Sequence, residues 1–329
     1  MKPLLAVSDL RVAFGDKEVV HGISFQIAQG EKLALVGESG SGKTISALAL
    51  LRLVEGGQIA GSVHLSDPQP STSARSLLSL QEREMRAIRG QDIAMIFQEP
   101  MTSLNPVFTV GEQIAESVRT HQGKDRAAAS AEALRMLELV RIPEARNVLG
   151  RYPHQLSGGM RQRVMIAMAL CGNPRLILAD EPTTALDVTI QAQILELMKR
   201  VQQQHGTSVI LITHNMGIVA EACDDVAVMY MGRVVEYGTL EQVFNHPLHP
   251  YTCALMRSVP VLGIGKDKKL ESIKGSTPDA SIEFTHCEFA ERCDHCTQRC
   301  LEGLPQDRIL PDGHRVRCFR YAGEGEAND

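Results

Sequence analysis

The sequence predicts a layered α/β fold, and three observations carry that expectation. Short β-branched or aliphatic runs alternate with amphipathic stretches through the first half of the chain. One such run, Lys32 to Val36, ends in a glycine-rich turn and is followed by Leu and Ala at helical spacing from Ile45 to Leu53. The N-terminal segments alternate apolar and polar residues, as half-buried antiparallel strands do. With 329 residues, 43% hydrophobic and 22% charged, the chain lies in the ordinary globular range and can bury a core without staples.

Taken in order, Leu4 to Phe14 and Val19 to Ile27 read as an antiparallel edge sheet. Lys32 to Val36, Asp92 to Phe97, Leu176 to Ala179 and Ser208 to Thr213 are short apolar runs, the pattern of central parallel strands. Pro68, Pro70 and the Ser/Thr cluster from Ser71 to Ser76 mark a surface loop in an insertion spanning Ser66 to Ser79. Gly111 to Arg141 is helical in pattern, with Pro143 as a stop. From about Tyr251 the character changes: Gly263 to Lys269 is a polar linker, a cysteine-rich segment follows, and Gly323 to Asp329 is an acidic tail. The expected division is a main domain over residues 1–255, with a helical subdomain near 100–165, and an extension over 256–329.

Several function classes are poor readings. A net charge of −5 makes no case for nucleic-acid binding. The longest apolar stretch, Val164 to Cys171, falls well short of the ~18–20 residues a bilayer-spanning helix needs. The apolar patch Leu4 to Val7 is too short for a signal-peptide core.

Gly37, Glu38, Ser39, Gly40, Ser41, Gly42, Lys43 and Thr44 match G-x-x-x-x-G-K-[ST] between an apolar strand and a helix. The glycines let backbone N–H groups curl around phosphate oxygens, and the helix points its positive end at them. Lys43 would reach the β- and γ-phosphates, and the Thr44 hydroxyl would coordinate Mg²⁺. A chance match is expected about once in a hundred such chains, so the loop reads as a nucleotide site.

A second apolar strand, Leu176 to Ala179, ends in Asp180 and Glu181. An acid at such a strand end, beside a phosphate loop, suits Mg²⁺, which fits Asp180; Glu181 could orient the attacking water or take its proton. Ser157 is a good helix N-cap, and Gly158 and Gly159 after it expose backbone N–H groups to an anion.

Together these strings resemble the ATP-binding subunits of ABC transporters. Gly37 to Thr44 is similar to their Walker A, Leu176 to Glu181 to Walker B, and Leu156 to Arg163 to the signature motif. Gln98 resembles the Q-loop glutamine, Asp187 in Ala185-Leu-Asp187 the D-loop aspartate, and His214 the switch histidine. Phe14 stands near the family's adenine-stacking aromatic, although taken alone it reads as a core strand residue. The resemblance covers roughly Leu4 to Pro260 and implies a P-loop NTPase (RecA-like) core with an antiparallel β edge subdomain and a helical signature subdomain. It also implies ATP hydrolysis with Mg²⁺ between two subunits paired head to tail. Each ATP would sit between one phosphate loop and the partner's Ser157, Gly158 and Gly159, with Gln98 linking Mg²⁺ to the transmembrane partner.

Longer strings, Phe97 to Pro106, Tyr152 to Ser157, Pro182 to Gln191 and His249 to Thr252, resemble the dipeptide/oligopeptide (and nickel) importer ATPases of prokaryotes. That family implies a second, usually different ATPase subunit, two permease subunits and a solute-binding protein, at the cytoplasmic face of the inner membrane. The competing expectation is a soluble ABC ATPase with a metal or redox regulatory tail. Five of the eight cysteines fall between Cys287 and Cys318. Zinc bound by Cys with His286, His295 or His314, and unligated thiols, are both open readings of that segment. The family resemblance implies instead a [4Fe–4S] cluster on Cys287, Cys293, Cys300 and Cys318, leaving Cys296 as an extra cysteine inside the pattern.

Overall fold

The structure, a computed structural model, describes residues 3–67, 74–184, 187–258, 273–279 and 282–322. The loop at Pro68 and Pro70, the Gly263 to Lys269 linker, Ala185 and Leu186 of the D-loop string and the acidic tail lie outside the described residues. In chain order the strands begin with β1 (Leu5–Phe14), β2 (Lys17–Ile27), β3 (Lys32–Val36), β4 (Gln58–Leu65), β5 (Arg75–Ser76) and β6 (Ile93–Ile96). They continue with β7 (Leu176–Asp180), β8 (Ser208–Thr213), β9 (Asp225–Tyr230), β10 (Arg233–Thr239), β11 (Arg308–Ile309) and β12 (Arg315–Val316). The chain divides into two compact units, one of residues 1–27, 32–78 and 212–329, the other of 28–31 and 79–211.

In the first unit the expected antiparallel edge sheet forms in the order β2-β1-β4-β5. Leu5 stands opposite Ile27 on one side and Leu65 on the other, and the alternation, reset by an irregularity between Val7 and Leu10, buries Leu5 and Val7 before it and Leu10 and Val12 after it. A second set of strands runs β3-β9-β10-β12-β11. β3 pairs parallel with β9 from Leu33↔Asp225 to Val36↔Val228, and its residues 33–36 are fully buried. β10 turns back antiparallel to β9, and the cysteine-rich segment adds β12 to its free side through Glu236↔Val316 and Tyr237↔Arg315. The glycine-rich turn leads from β3 into the helix Lys43–Leu50, which overlaps the expected Ile45 to Leu53 stretch but starts and ends earlier.

In the second unit β6 and β7 pair parallel from Ile93↔Leu176 to Ile96↔Ala179, with residues 208–211 of β8 on the far side of β7. The stretch helical in pattern from Gly111 to Arg141 forms two helices, Val110–Gln122 and Arg126–Leu139. Gly123 ends the first in the left-handed region (φ 64°), and the Asp125 side chain caps the second by accepting from the Ala128 N–H. The helix Gly158–Leu170 starts where Ser157 was expected to cap it. Among the described residues no helix is long and apolar enough to cross a membrane.

Candidate active site

The phosphate loop, Phe14 and His214 belong to the first unit; Gln98, Ser157, Gly158, Gly159, Asp180, Glu181 and Asp187 belong to the second. At Gly37 the backbone has φ 155°, and a Cβ there would lie 2.1 Å from the Met229 carbonyl oxygen. Only glycine lets β3 leave its neighbour β9 at that point. Gly42, at φ 92°, starts the helix Lys43–Leu50 from the left-handed region. Lys43 is buried, and its ammonium donates to the Gly37 carbonyl (2.8 Å), the Glu38 carbonyl (2.7 Å) and Ser41 Oγ (3.2 Å). The cation is thus held over the loop by the loop's own oxygens, contacts that phosphate oxygens can replace. Ser39 and Gly40 are exposed at the crest, and Thr44 is half-buried at the helix start.

Phe14 ends β1 half-buried, its ring along the Gly57 backbone, where a Cβ would come within 3.2 Å of Cε1. His214 is exposed immediately after β8, and the next side chain, Asn215, caps the helix Met216–Ala222 by accepting from the Gly217 N–H at 2.9 Å.

In the second unit Asp180 closes β7 and is 2% exposed. Glu181 follows in the left-handed region (φ 44°), a conformation uncommon for a non-glycine residue. It brings the Glu181 carboxylate to Gln98 Nε2 at 3.3 Å and to the Thr184 hydroxyl at 2.6 Å. Two residues singled out in the sequence therefore meet, and Thr184 joins them unannounced. The Ser157 hydroxyl accepts from the Met160 N–H at 3.4 Å, Gly158 faces open space, and Gly159 packs on Ile190, with 3.2 Å left for a Cβ. Asp187 caps the helix Val188–His205, accepting from the Ile190 N–H at 2.9 Å.

The cysteine segment forms a cavity of about 330 Å³ whose lining includes Cys287, Cys293, Cys300 and Cys318. Cys296 is exposed and does not line it. Burial pushes the Cys287 thiol up to about 12, and raises Cys293 and Cys318 as well. The His295 N–H donates to Cys293 Sγ at 3.4 Å, and Thr297 Oγ1 lies 3.4 Å from Cys300 Sγ. Of the histidines weighed as zinc ligands, His295 lines the cavity, His314 is buried against Glu236 (Nε2–Oε1 2.9 Å), and His286 packs edge-on to Phe284. Among the described residues no three His, Cys, Asp or Glu side chains are gathered closely enough to hold a metal ion.

Comparison with known proteins supplies the family. The ABC transporter family profile matches residues 20–184, and the profile of the oligopeptide/dipeptide transporter C-terminal region matches residues 235–300. The oligopeptide transport ATP-binding protein AppD of Bacillus subtilis (strain 168) is 48% identical over 332 residues, covering 99% of this chain and 99% of AppD. The chain belongs to the ABC transporter ATP-binding subunits of the dipeptide/oligopeptide importer family. The glutathione import ATP-binding protein GsiA of Escherichia coli (strain K12) is 58% identical over 270 residues, 80% of this chain but 43% of GsiA, so the match spans under half of that protein. Among solved structures, the ATP-binding cassette MJ0796, in a dimeric post-hydrolysis state bound to ADP and Pi, aligns with a TM-score of 0.63 at 26% identity. That alignment covers 72% of this chain and 98% of MJ0796. CbiO1 of Clostridium perfringens shares the fold at 24% identity, with a TM-score of 0.63 over 75% of this chain and 92% of CbiO1. This member of the ABC family is an ATPase with the expected P-loop core.

Proposed function

We propose that this subunit powers uptake of di- or oligopeptides, or related small solutes, from the cytoplasmic face of the inner membrane. In this reading it pairs head to tail with a second, different ATPase and drives two permeases fed by a solute-binding protein, with no role for nucleic acid. The observation that carries the pairing is Gly158: it opens onto free space at an exposed helix start, in a chain with one phosphate loop and one signature. A helix start that opens outward can offer its backbone N–H groups to an anion, and in this reading that anion is a nucleotide held by another subunit. Residues 1–255 then act as the ATPase and 256–329 as an appended segment.

Within each site Lys43 and the loop amides from Gly37 to Thr44 grip the β- and γ-phosphates, and Phe14 lies against adenine. The partner's ATP is met by Ser157, Gly158 and Gly159, while Asp187 shapes the subunit interface. Thr44, Gln98 and the buried Asp180 would hold Mg²⁺, which when bound would supply charge neutralisation to the phosphates. Glu181 accepts the proton of the attacking water, steadied by Gln98 and Thr184, and His214 contacts the γ-phosphate.

The same reading places a [4Fe–4S] cluster on Cys287, Cys293, Cys300 and Cys318, in a structural or redox-sensing role. Four thiols around one cavity support it. A cluster spreads its ligands around a multi-atom core, whereas one zinc draws them to about 2.0–2.3 Å from a point. Anaerobically purified protein should be brown, absorb near ~400 nm and carry about four irons per chain. Cys296→Ser should keep the iron and Cys300→Ser should lose it; colourless protein with stoichiometric zinc would sink the cluster.

Mild detergent extraction tests the transport reading. Permease subunits should co-purify with this chain, and peptide-loaded binding protein should stimulate ATP turnover. A chain recovered alone would favour a soluble ABC ATPase with a metal or redox regulatory tail.

A further inference from the structure

The cysteine-rich extension reaches the phosphate loop through one side chain. Arg292 sits in the short 3-10 turn Ala290–Arg292, between Cys287 and Cys293. Its guanidinium is 5% exposed and grips the Glu38 carboxylate with both arms, Nη1–Oε2 at 2.6 Å and Nη2–Oε1 at 3.0 Å. The remaining nitrogen donates to the Lys274 carbonyl at 2.8 Å, and Nη1 also donates to the Tyr230 hydroxyl at 3.2 Å. Tyr230, Tyr251 and Phe289 pack on one another around this contact, with ring centroids 4.6–5.5 Å apart. Tyr251 closes the cage, its hydroxyl accepting from the Glu38 N–H at 2.8 Å.

Glu38 is therefore held at its backbone by one residue of the His249 to Thr252 string and at its carboxylate by the extension. Its position makes that grip consequential. Glu38 follows Gly37 in the loop, and its carbonyl holds the Lys43 ammonium. A bare carboxylate there would repel the phosphates the loop is built to receive, and a partly buried setting screens that repulsion poorly. A two-armed arginine cancels the charge and fixes where it sits.

We propose that Arg292 is a positioning residue for ATP binding, acting through Glu38: by neutralising that carboxylate, the cysteine-rich extension sets the affinity of the phosphate loop. The inference rests on ATP binding at Gly37 to Thr44. MgATP titration of the full chain tests it, together with KM and kcat in the assembled transporter. Arg292→Met should weaken MgATP binding about tenfold and raise KM in step, with kcat within about twofold. Adding Glu38→Gln to that variant should recover most of the loss, because the repelling charge is gone. Arg292→Lys should recover part, keeping the charge without the fork. Glu38→Gln alone, which leaves Arg292 its carbonyl and tyrosine partners, should tighten binding about threefold. Unchanged affinity in folded Arg292→Met, no recovery in the double variant, or weaker binding in Glu38→Gln would each overturn the proposal. Binding that survives Lys43→Ala would instead remove the loop as the ATP site, and the proposal with it.

Discussion

Glu181 shows how a residue's backbone can serve its chemistry. A non-glycine residue at φ 44° costs on the order of 1–3 kcal/mol, and here the left-handed turn carries the carboxylate to Gln98 and Thr184. Glu181→Gln keeps the shape and hydrogen-bonding reach but removes the base. ATP binding should persist while turnover in the assembled transporter falls by roughly 10²–10⁴-fold, the range typical of losing a general base. Hydrolysis at the wild-type rate would refute the assignment. Gly37→Ala tests the loop itself: its methyl would lie 2.1 Å from the Met229 carbonyl oxygen, so loop or strand must move. A lower melting temperature and loss of nucleotide binding are expected together; a variant that melts and binds as wild type would show the strand end to be compliant. At this scale the sequence was informative where chemistry is local, as in Gly37 to Thr44 and Asp180-Glu181. It was silent on Arg292 because its partner Glu38 is 254 positions away. Tyr251 lay inside a quoted string, yet only folding shows that its hydroxyl meets a loop amide.

At the scale of elements, the legible pieces are those whose signals are strong in isolation. β3, β6, β7 and β8 are apolar runs bounded by turns, and the Ser157 cap marks the start of the helix Gly158–Leu170. The break between Val110–Gln122 and Arg126–Leu139 leaves little trace in a pattern that is helical throughout, because Ala, Glu and Arg favour helix on both sides, and Gly123 and Asp125 decide only by terminating and capping. The β9–β10 hairpin turns through Met231 and Gly232, both at positive φ (43° and 73°). Such turns usually announce themselves as Asn-Gly or Asp-Gly, so Met-Gly gave little warning. The signature helix carries the element-scale prediction. A Cβ built at Gly158 would meet no atom of the other described residues within 4 Å, so Gly158→Asp starts from open space in its own subunit. The new carboxylate would face the γ-phosphate of a nucleotide bound by the partner, and like charges repel. MgATP binding to this chain's own loop should be unchanged, while ATP-driven pairing and transport should be lost. Loss of own-loop binding with pairing intact would contradict the shared site.

For the whole molecule, acid stability centres on one buried ring, while burial also lowers the pKa of His21 and His121 and adds to the effect in the same direction. His249 is 2% exposed, and its Nδ1 accepts from the Tyr251 N–H at 3.1 Å, so the fold needs the ring uncharged there. The same corner is tied by Glu236 on β10, whose carboxylate accepts from the Leu248 and His249 N–H groups and meets His314 from the extension. Burial lowers the His249 pKa from 6.5 to about 4; the nearby Glu236 works against that shift and Arg317 with it. Between those two values the unfolded chain binds a proton that the folded chain refuses, so stability rises with pH across the window. Acidification from pH 6.5 should therefore cost stability progressively, by up to roughly 3 kcal/mol, and this contribution should level off below pH 4. Carboxylates such as Glu132, whose pKa Arg135 lowers, add their losses only further down the scale. Asn at position 249 can still accept from the Tyr251 N–H but cannot titrate. His249→Asn should thus lower stability modestly at neutral pH and flatten the dependence of melting temperature on pH between 6.5 and 4. If the variant kept the wild-type slope, the acid sensitivity would belong to other groups, and the ring would be packing without a proton-linked role.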